Sequence, residues 1–361
     1  MRATESAAAS APATYKAAGV DIAAGDAAVE RIRAAVASTA RPEVLGTIGG
    51  FGGCFAFDPG RYRRPVLVSS TDGVGTKALV AAAAGGHGTI GLDLVAMCVD
   101  DLVCTGAEPL FLLDYVATGA LDPQQMEQIV AGVADGCRQA GCALLGGEMA
   151  EHGDSMSRGH FDLAGFAVGV VEGDDMLGPA RVAVGDVLVG LASPGLRCNG
   201  YSLARHVLLE RAGMALDGPA WDGADHSLGE ELLAPSVIYA PHVLAVLGGV
   251  APGAVHAVAH ITGGGIPGNV ARILPDGADA VLRRSQWAEP RIFGEIRRLG
   301  PVAEDEMEAV FNLGLGMVMA VEATAAGDVL AVLAGTGCPA SVVGEIVPGA
   351  GGAGRVQVEA P

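Results

Sequence analysis

Basic residues are scarce in this 361-residue sequence, and lysine is almost absent from it. Lysine and arginine together number 22 against 41 acidic residues, which gives a formal charge of −19 at pH 7. Only Lys16 and Lys77 are lysines. So acidic a chain is a poor match for a nucleic-acid backbone or an anionic membrane as its main partner. A phosphorylated ligand is still compatible with this charge, provided that metal ions and backbone N–H groups supply positive potential.

Paired cysteines are also lacking. The seven cysteines form an odd number without a C-x-x-C pair, which argues against a zinc site and against a disulfide scaffold. We expect buried free thiols in a reducing cytoplasm. The cysteines are Cys54, Cys98, Cys104, Cys137, Cys142, Cys198 and Cys338.

Targeting and membrane-spanning segments are not expected. The Ala/Ser run at the start of the chain includes Glu5 and has no leucine-rich core, unlike a secretory signal. We expect residues 1–18 to be mobile. Residues 232–271 lack Asp, Glu, Lys and Arg and exceed the roughly 20 residues of a bilayer span. Prolines, a Gly-Gly pair and three histidines interrupt that stretch, so it predicts core elements and turns of a soluble protein.

Glycine is the most overrepresented residue. The chain has 55 glycines, about twice the usual share of roughly 7%. They follow no three-residue period, which excludes collagen. Half of the residues are hydrophobic and 17% are charged, which excludes a disordered chain. The length predicts two domains, each of roughly 100–200 residues.

Helical and strand patterns are mixed in both halves of the sequence, which predicts an α/β or α+β protein. Helices are predicted at residues 26–38, 92–105, 123–140 and 202–211, together with an alanine-rich helix that follows Lys77. Strands are predicted at residues 65–71, 110–116, 163–171, 187–192, 255–261 and 313–321. The polar, turn-rich residues 172–181 predict a boundary between an N-terminal domain (1–173) and a C-terminal domain (182–361).

One glycine motif is expected to be misleading. Residues 86–91 match G-x-G-x-x-G, but a dinucleotide site requires a strand before this motif. The alanine-rich residues 78–84 predict a helix there instead. We therefore do not assign residues 86–91 to a cofactor.

The segment from Asp72 to Lys77 offers groups that hold phosphate. It reads Asp-Gly-Val-Gly-Thr-Lys and is not a Walker A loop, because its lysine follows Thr76 rather than glycine. It combines a carboxylate, two glycines, a hydroxyl and an ammonium group, which suit a phosphate and its Mg²⁺. An ordinary turn between a strand and a helix explains the segment equally well.

Several further acids are candidate metal ligands. Asp93, Asp100 and Asp101 lie on one face of an otherwise apolar predicted helix, about two turns apart. Burying them would require a cation, and a solvated helix face is the alternative. Glu148 follows a Gly-Gly pair after another strand-like segment. Hard oxygen ligands of this kind suit Mg²⁺ rather than zinc.

The second half of the chain has one candidate anion site. His260 ends a predicted strand, and the Thr-Gly-Gly-Gly turn at 262–265 leads toward Pro267, a plausible first residue of a helix. A lone histidine is more often structural than catalytic. Asn199 precedes the predicted 202–211 helix, where helix capping alone would explain it.

In their order along the chain, these motifs resemble those of the phosphoribosylformylglycinamidine cyclo-ligase (aminoimidazole ribonucleotide synthetase) family. The resemblance spans nearly the whole chain, from Tyr15 to Met317. Its segments are residues 15–22, 41–43, 49–52, 72–77, 91–98, 106–109, 146–148, 199–203, 262–265 and 311–317. It implies the two-domain fold of that family, with the N-terminal sheets pairing across a homodimer and ATP bound near this interface.

The resemblance also implies an activity. It implies ATP-dependent cyclisation of formylglycinamidine ribonucleotide, a phosphoribosyl amidine, to aminoimidazole ribonucleotide in purine biosynthesis. The amide oxygen is phosphorylated, a ring nitrogen attacks the activated carbon, and phosphate leaves. Phosphorylation makes the oxygen a good leaving group, so the protein mainly positions groups and stabilises charge.

Roles for individual residues follow from the same resemblance. The implied catalytic residues are Lys77, His260 and Asn199. The implied ligands of Mg²⁺ are Asp72, Asp93, Asp101 and Glu148. The implied ATP and phosphate contacts are Gly49, Gly50, Gly52, Gly53, Asp72, Gly75, Thr76, Lys77, Thr262, Gly263, Gly264 and Gly265.

The chain departs from the family pattern at three places. Met149 replaces the usual threonine, Arg197-Cys198 replaces His-Ser, and residues 151–154 read Glu-His-Gly-Asp. A histidine-to-arginine change replaces a group that titrates near neutrality by a fixed cation. Two alternatives to the family reaction therefore stay open. One is a paralogue that activates another amide in specialised metabolism, and the other is a nucleotide-binding partner protein without turnover.

Overall fold

The structure is a computed structural model that describes residues 14–16 and 19–359. The mobility expected for residues 1–18 therefore falls mostly outside the described residues. The α-helices, in chain order, are α1 (Ile22–Ala37), α2 (Lys77–Ala84), α3 (Ile90–Val103), α4 (Pro123–Ala140), α5 (Tyr201–Arg205), α6 (Leu228–Leu232), α7 (Ala240–Gly249), α8 (Gly265–Val270), α9 (Arg291–Leu299), α10 (Glu304–Val310) and α11 (Ala326–Gly335). The strands are β1 (Val44–Leu45), β2 (Cys54–Phe55), β3 (Pro65–Gly73), β4 (Glu108–Thr118), β5 (Ala143–Glu151), β6 (Phe161–Glu172), β7 (Val187–Ala192), β8 (Val255–His260), β9 (Ala278–Arg283), β10 (Leu315–Val321), β11 (Ala340–Pro348) and β12 (Val356–Glu359).

The N-terminal half has a four-stranded sheet in the order β3-β6-β4-β5. Its strands are antiparallel except for the β4–β5 pair. Helices α3 and α4 pack together, and both contact the sheet. The other face exposes Leu67, Tyr115 and Phe166, which come from β3, β4 and β6. One face of this sheet is therefore buried and the other is open.

The start and end of α4 follow from local chemistry. Asp122 caps the helix by accepting a hydrogen bond from Gln124 N at 2.9 Å, and Pro123 occupies the first turn, where no N–H partner is needed. Gly141 ends it with φ +71°. This left-handed conformation is strained for residues with a Cβ. The start predicted from the sequence is confirmed.

The C-terminal half has a six-stranded sheet in the order β12-β9-β11-β7-β10-β8, antiparallel except for the β12–β9 pair. Every residue of β10, which lies between β7 and β8, is buried, because helices cover both faces of the sheet. One face packs against α7 and α11, in an apolar cluster that continues into α3 and α4. Helix α7 therefore lies between the N-terminal helix layer and the C-terminal sheet.

The mixed α/β class and most of the predicted elements are confirmed. Two helices differ in detail. Helix α1 begins at Ile22 behind the capping residue Asp21, four residues before the prediction. The predicted 202–211 helix consists of α5 followed by a π-helical segment, His206–Arg211. The charge-free residues 232–271 form a loop, α7, β8 and α8, as expected for core elements and turns.

The misleading glycine motif has a packing role. Residues before it form α2, so the strand that a dinucleotide site requires is not there. A Cβ on Gly91 would lie 2.1 Å from Val133 N in α4. Glycine is therefore required for the close contact of α3 and α4.

The remaining expectations concern cysteines and membrane spans. All seven cysteines are free thiols; Cys54 is exposed and Cys104 half-buried, whereas the other five are buried. Across the described residues, no helix combines the length and the apolar character needed to cross a membrane.

Candidate functional site

Three segments predicted to carry function lie together between the two halves of the chain. The first is residues 72–77, which lead from the end of β3 to the start of α2. The second is residues 197–202, which lead into α5. The third is residues 260–265, which lead from the end of β8 to the start of α8. Thr76 Oγ1 lies 3.3 Å from Ser202 Oγ. A Cβ built on Gly263 would lie 3.9 Å from Asn199 Nδ2. The tertiary structure thus brings both halves of the chain to one place.

Asp72 and Asp101 form an acidic pair at this place, and each is only partly buried. Asp101 contacts His260 Nδ1 through Oδ1 at 2.8 Å and accepts a hydrogen bond from Ser70 Oγ through Oδ2 at 3.1 Å. Burial acts to raise the pKa of Asp101, but hydrogen bonds from His260 and Ser70 contribute to lowering it overall. Burial raises the pKa of Asp72, and the charge of Asp101 adds to this rise.

Behind this pair lies a buried network centred on Arg197, which has the positive φ of +63°. Its Nη2 atom lies 2.9 Å from Asp100 Oδ2 and 3.0 Å from His260 Nε2. Its guanidinium carbon lies 4.8 Å from the centre of the Tyr239 ring. Asp100 Oδ1 accepts hydrogen bonds from Tyr239 N at 2.8 Å and Ala240 N at 2.9 Å, where α7 begins. Asp100 therefore joins Arg197 to the first turn of α7.

Lys77 is fully buried rather than open to a ligand. Its Nζ atom lies 2.7 Å from Asp93 Oδ2 and donates to Ala234 O at 2.8 Å. Asp93 Oδ1 accepts from Ser236 N at 2.8 Å and from Ser236 Oγ at 2.6 Å. This arrangement differs from the phosphate-binding role expected for Lys77 and the metal-binding role expected for Asp93. A buried charge requires an opposite charge, and here the two residues satisfy each other while holding residues 234–236.

The four carboxylates expected to bind Mg²⁺ do not lie together. Asp93 is buried in the interior beside Lys77. Glu148 lies on the edge strand β5, three strands or roughly 14 Å from β3, which carries Asp72. Across the described residues, no group of three or more His, Cys, Asp or Glu side chains could hold a metal ion. Only Asp72 and Asp101, of the four, share a surface.

The glycine-rich loop at residues 49–53 has no regular structure, as predicted, and is exposed. Phe51 within it is also exposed. A Cβ on Gly53 would lie 2.5 Å from Leu145 Cγ, so the loop lies against β5. This places the loop near Glu148 and at the opposite edge of the sheet from Asp72.

The 262–265 turn is held by a residue that the sequence analysis did not single out. Asn269 Nδ2 donates to Gly265 O at 2.8 Å and to Thr262 O at 3.2 Å. A Cβ on Gly265, which has φ +59°, would lie 1.8 Å from Glu308 O, so only glycine fits. The helix after the turn, α8, has six residues. The four-residue spacing from Gly265 to Asn269 was the available signal.

Other contributors were missed because their role depends on distant contacts. Ser236, Tyr239 and Ala240 belong to a stretch that reads only as apolar chain, yet they satisfy Asp93 and Asp100. Arg197 and Asp100 were noted in the sequence, but nothing in their local pattern pairs them.

Comparison with known proteins identifies the family. Residues 58–171 match the family described as AIR synthase related protein, N-terminal domain, and residues 183–357 match its C-terminal domain. A phosphoribosylformylglycinamidine cyclo-ligase of Myxococcus xanthus (strain DK1622) is 54% identical over 343 residues, which cover 95% of this chain and 98% of that protein.

Solved structures show the same fold at low sequence identity. Thiamine-monophosphate kinase from Stenotrophomonas maltophilia K279a has a TM-score of 0.64 at 19% identity, over 92% of this chain and 96% of its own. The hydrogenase maturation protein HypE in complex with ATP has a TM-score of 0.64 at 18% identity, over 91% of this chain and 90% of its own. The resemblance inferred from the sequence motifs is confirmed, and the chain belongs to the phosphoribosylformylglycinamidine cyclo-ligase family of AIR synthase related proteins.

Proposed function

We propose that this chain is an ATP-dependent cyclo-ligase that converts formylglycinamidine ribonucleotide to aminoimidazole ribonucleotide, with release of ADP and phosphate. The observation that carries the proposal is the 54% identity, over 95% of the chain, to a relative of that name. The reaction is a step of purine biosynthesis. A cytoplasmic location, in keeping with the free thiols, is part of the same proposal.

The chemistry has two steps. The amide oxygen of the substrate attacks the γ-phosphate of ATP, and ADP leaves. An amidine nitrogen, which becomes a ring atom, then attacks the activated carbon and loses a proton, and phosphate departs. The protein contributes position and charge stabilisation, because the phosphorylated oxygen is already a good leaving group.

We assign the substrate to the surface where the 72–77, 197–202 and 260–265 segments meet. The amide of Asn199 beside Gly263 and the exposed glycines of the turn supply hydrogen-bonding groups there. Asn199 Oδ1 is buried and has no hydrogen-bond partner among the described residues. An unused buried acceptor of this kind supports a role for Asn199 in binding a donor group of the substrate.

The donors around Asp72 and Asp101 fit Mg²⁺. Both carboxylates are hard oxygen ligands, both are partly exposed, and burial, with a further contribution from the charge of Asp101, raises the pKa of Asp72. A cation between them would remove this repulsion. When bound there, Mg²⁺ would neutralise charge on the phosphates. We propose Asp72 and Asp101 as its protein ligands, with Glu148 contributing only from a second copy of the chain.

ATP is proposed to contact Gly49, Gly50, Gly52 and Gly53 together with Asp72, Gly75 and Thr76. Within one chain these two groups lie at opposite edges of the N-terminal sheet. We therefore propose that two copies complete each nucleotide site.

The open face of the N-terminal sheet supports a homodimer. Leu67, Tyr115 and Phe166 are large apolar or aromatic side chains, and between 41% and 64% of each is exposed on that face. Exposed apolar patches of this kind mark interaction surfaces. We propose that this sheet pairs with its copy, and that the chain divides into domains 1–173 and 182–361 around the two sheets.

The test measures ADP release by the purified protein with ATP and Mg²⁺, with and without formylglycinamidine ribonucleotide. We expect substrate-dependent ADP release with formation of the aminoimidazole. ATP binding without turnover on this substrate or any other amide would contradict the proposal and favour a nucleotide-binding partner protein. Turnover only on a different amide would favour the paralogue. Asp328→Asn, at an exposed position in the first turn of α11, is a matched control for the carboxylate variants.

A further inference from the structure

Arg197 occupies a position that is costly for an arginine. It is 2% exposed, its φ is +63°, and its Nε and Nη1 atoms find no hydrogen-bond partner among the described residues. Leaving buried N–H groups unpaired destabilises a fold. An apolar side chain would fill this space without leaving N–H groups unpaired. The contacts of Nη2 are therefore the ones that give the arginine a role here.

The two hydrogens of Nη2 match its two contacts. Asp100 Oδ2 lies 2.9 Å away and His260 Nε2 lies 3.0 Å away. Arginine has donors and no acceptor, so His260 Nε2 receives this hydrogen bond through its lone pair. Asp100 Oδ2 is no competing partner for Nε2, since those two atoms are 4.0 Å apart.

The proton of His260 is thereby placed on Nδ1. Nδ1 lies 2.8 Å from Asp101 Oδ1, and this carboxylate accepts the hydrogen bond. His260 itself is 5% exposed, whereas the side chain of Asp101 is 44% exposed. The group that can reach a ligand is therefore Asp101, and the imidazole lies behind it.

We propose that Arg197 is a positioning residue that acts through His260. By donating to Nε2 it keeps the Nδ1–H tautomer, and this N–H orients the Asp101 carboxylate toward the bound ligand. Asp100 and the Tyr239 ring hold the guanidinium in place. The inference rests on the proposed function for the identity of that ligand, and it changes the expected role of His260 from a group that contacts substrate to one that orients Asp101.

The tautomer is tested by ¹⁵N NMR of the full-length protein labelled at histidine, with the His260 signals assigned by their loss in His260→Gln. We expect a protonated Nδ1 and an unprotonated Nε2 in the unmodified protein. In Arg197→Met the Nε2 signal should shift and the second tautomer should appear. Arg284→Met is the matched control, because Arg284 is also buried and stacks 4.7 Å from the Trp287 ring, but it pairs with Glu289 rather than with a histidine.

A second variant serves as a control for misfolding. Arg197→Met leaves Asp100 without its cation, whereas Arg197→Met with Asp100→Asn removes both charges and keeps the Oδ1 acceptor for Tyr239 N and Ala240 N. Both should give the same change at His260. Arg197→Lys retains a cation that can donate to Nε2 and should restore the Nδ1–H tautomer in part.

The kinetic readout separates positioning from packing. Loss of a hydrogen bond that orients a ligating group typically costs about 10- to 100-fold in affinity or activity. We expect a loss of this size in kcat or in the apparent Mg²⁺ affinity, with the KM for formylglycinamidine ribonucleotide little changed. A His260 proton on Nε2 in the unmodified protein, or unchanged His260 signals in Arg197→Met, would overturn the inference. If the NMR changes occur but even the unmodified protein does not turn over this substrate, the positioning role of Arg197 stands and the proposed function fails.

Discussion

Two buried ion pairs, each with its aspartate on α3, have different surroundings. Asp93 pairs with Lys77 and Asp100 pairs with Arg197, and all four side chains are within the protein. The aspartates are seven residues apart, about two turns of α3, so they face the same way. Both also bind the segment before α7, through Ser236 in one case and Tyr239 and Ala240 in the other.

The difference lies in where each network ends. The Lys77–Asp93 pair is closed, because its other contacts among the described residues are the half-buried Ala234, the buried Ser236 and the buried ring of Tyr201, 5.6 Å from Lys77 Nζ. The Arg197–Asp100 pair continues through His260 to Asp101, which is partly exposed. Of the two networks, the second connects its buried charges to a side chain that a ligand can reach.

The largest expected effect is the loss of stability in Lys77→Ala. Removing one partner of a buried pair leaves the other charge uncompensated, which costs about 3–5 kcal/mol. Equilibrium urea unfolding measures the change, and Lys77→Met with Asp93→Asn should recover much of it. If Lys77→Ala instead keeps its stability and loses only ATP turnover, Lys77 contacts phosphate and the comparison fails.

Asp114 is a buried carboxylate that forms no ion pair with any of the described residues, so it extends the comparison. Burial raises the pKa of Asp114 to about 7, with a backbone hydrogen bond opposing this rise. Because the folded pKa exceeds the unfolded value of about 3.9, Asp114 adds stability that is present at low pH and lost as pH rises through about 7.

Asp114→Asn should therefore remove part of the pH dependence of the free energy of unfolding. Measured between pH 5 and pH 8, the difference between the two proteins should change by on the order of 3 kcal/mol, the unmodified protein losing more as pH rises. Parallel curves over this range would show that Asp114 does not titrate there.

The substitution Asp101→Asn tests whether the exposed carboxylate at the end of the Arg197–Asp100–His260 network acts in turnover. We expect turnover to fall by about 10- to 100-fold, since the carboxylate is proposed to face the ligand. The free energy of unfolding should change by less than about 1 kcal/mol, because the amide oxygen of the new side chain could still accept from His260 Nδ1 or Ser70 Oγ. A large loss of stability with normal turnover would show that Asp101, like Asp93, has a structural role and does not face the ligand.

The smallest expected effect is that of Tyr239→Phe. The Tyr239 hydroxyl donates to Ala192 O at 2.6 Å, while its ring stays beneath Arg197. Loss of this hydrogen bond should cost about 1 kcal/mol in thermal or urea unfolding, and the His260 tautomer should not change. A changed tautomer would show that the hydroxyl, and not only the ring, holds Arg197.

Local patterns were reliable for single elements. The capping pattern at Asp122-Pro123 predicted the start of α4, and alternating or continuous apolar runs predicted β3, β6, β7 and β10. Local patterns were less reliable for elements that are stabilised by partners distant in the sequence. The short strand β12, for example, pairs with β9 at a distance of more than 70 residues in the sequence.

The sequence by itself determined the family, the α/β class and the segments that meet at the site, because ordered motifs and periodicity are local properties of the chain. It also singled out Lys77, Asp93, Asp100 and Asp101 as candidate functional residues. Only the tertiary structure decided which of them are buried in ion pairs and which one is partly exposed. Burial and pairing depend on residues more than 90 positions away, such as Ala234, Arg197 and His260, and the free energy of a charge depends on what surrounds it.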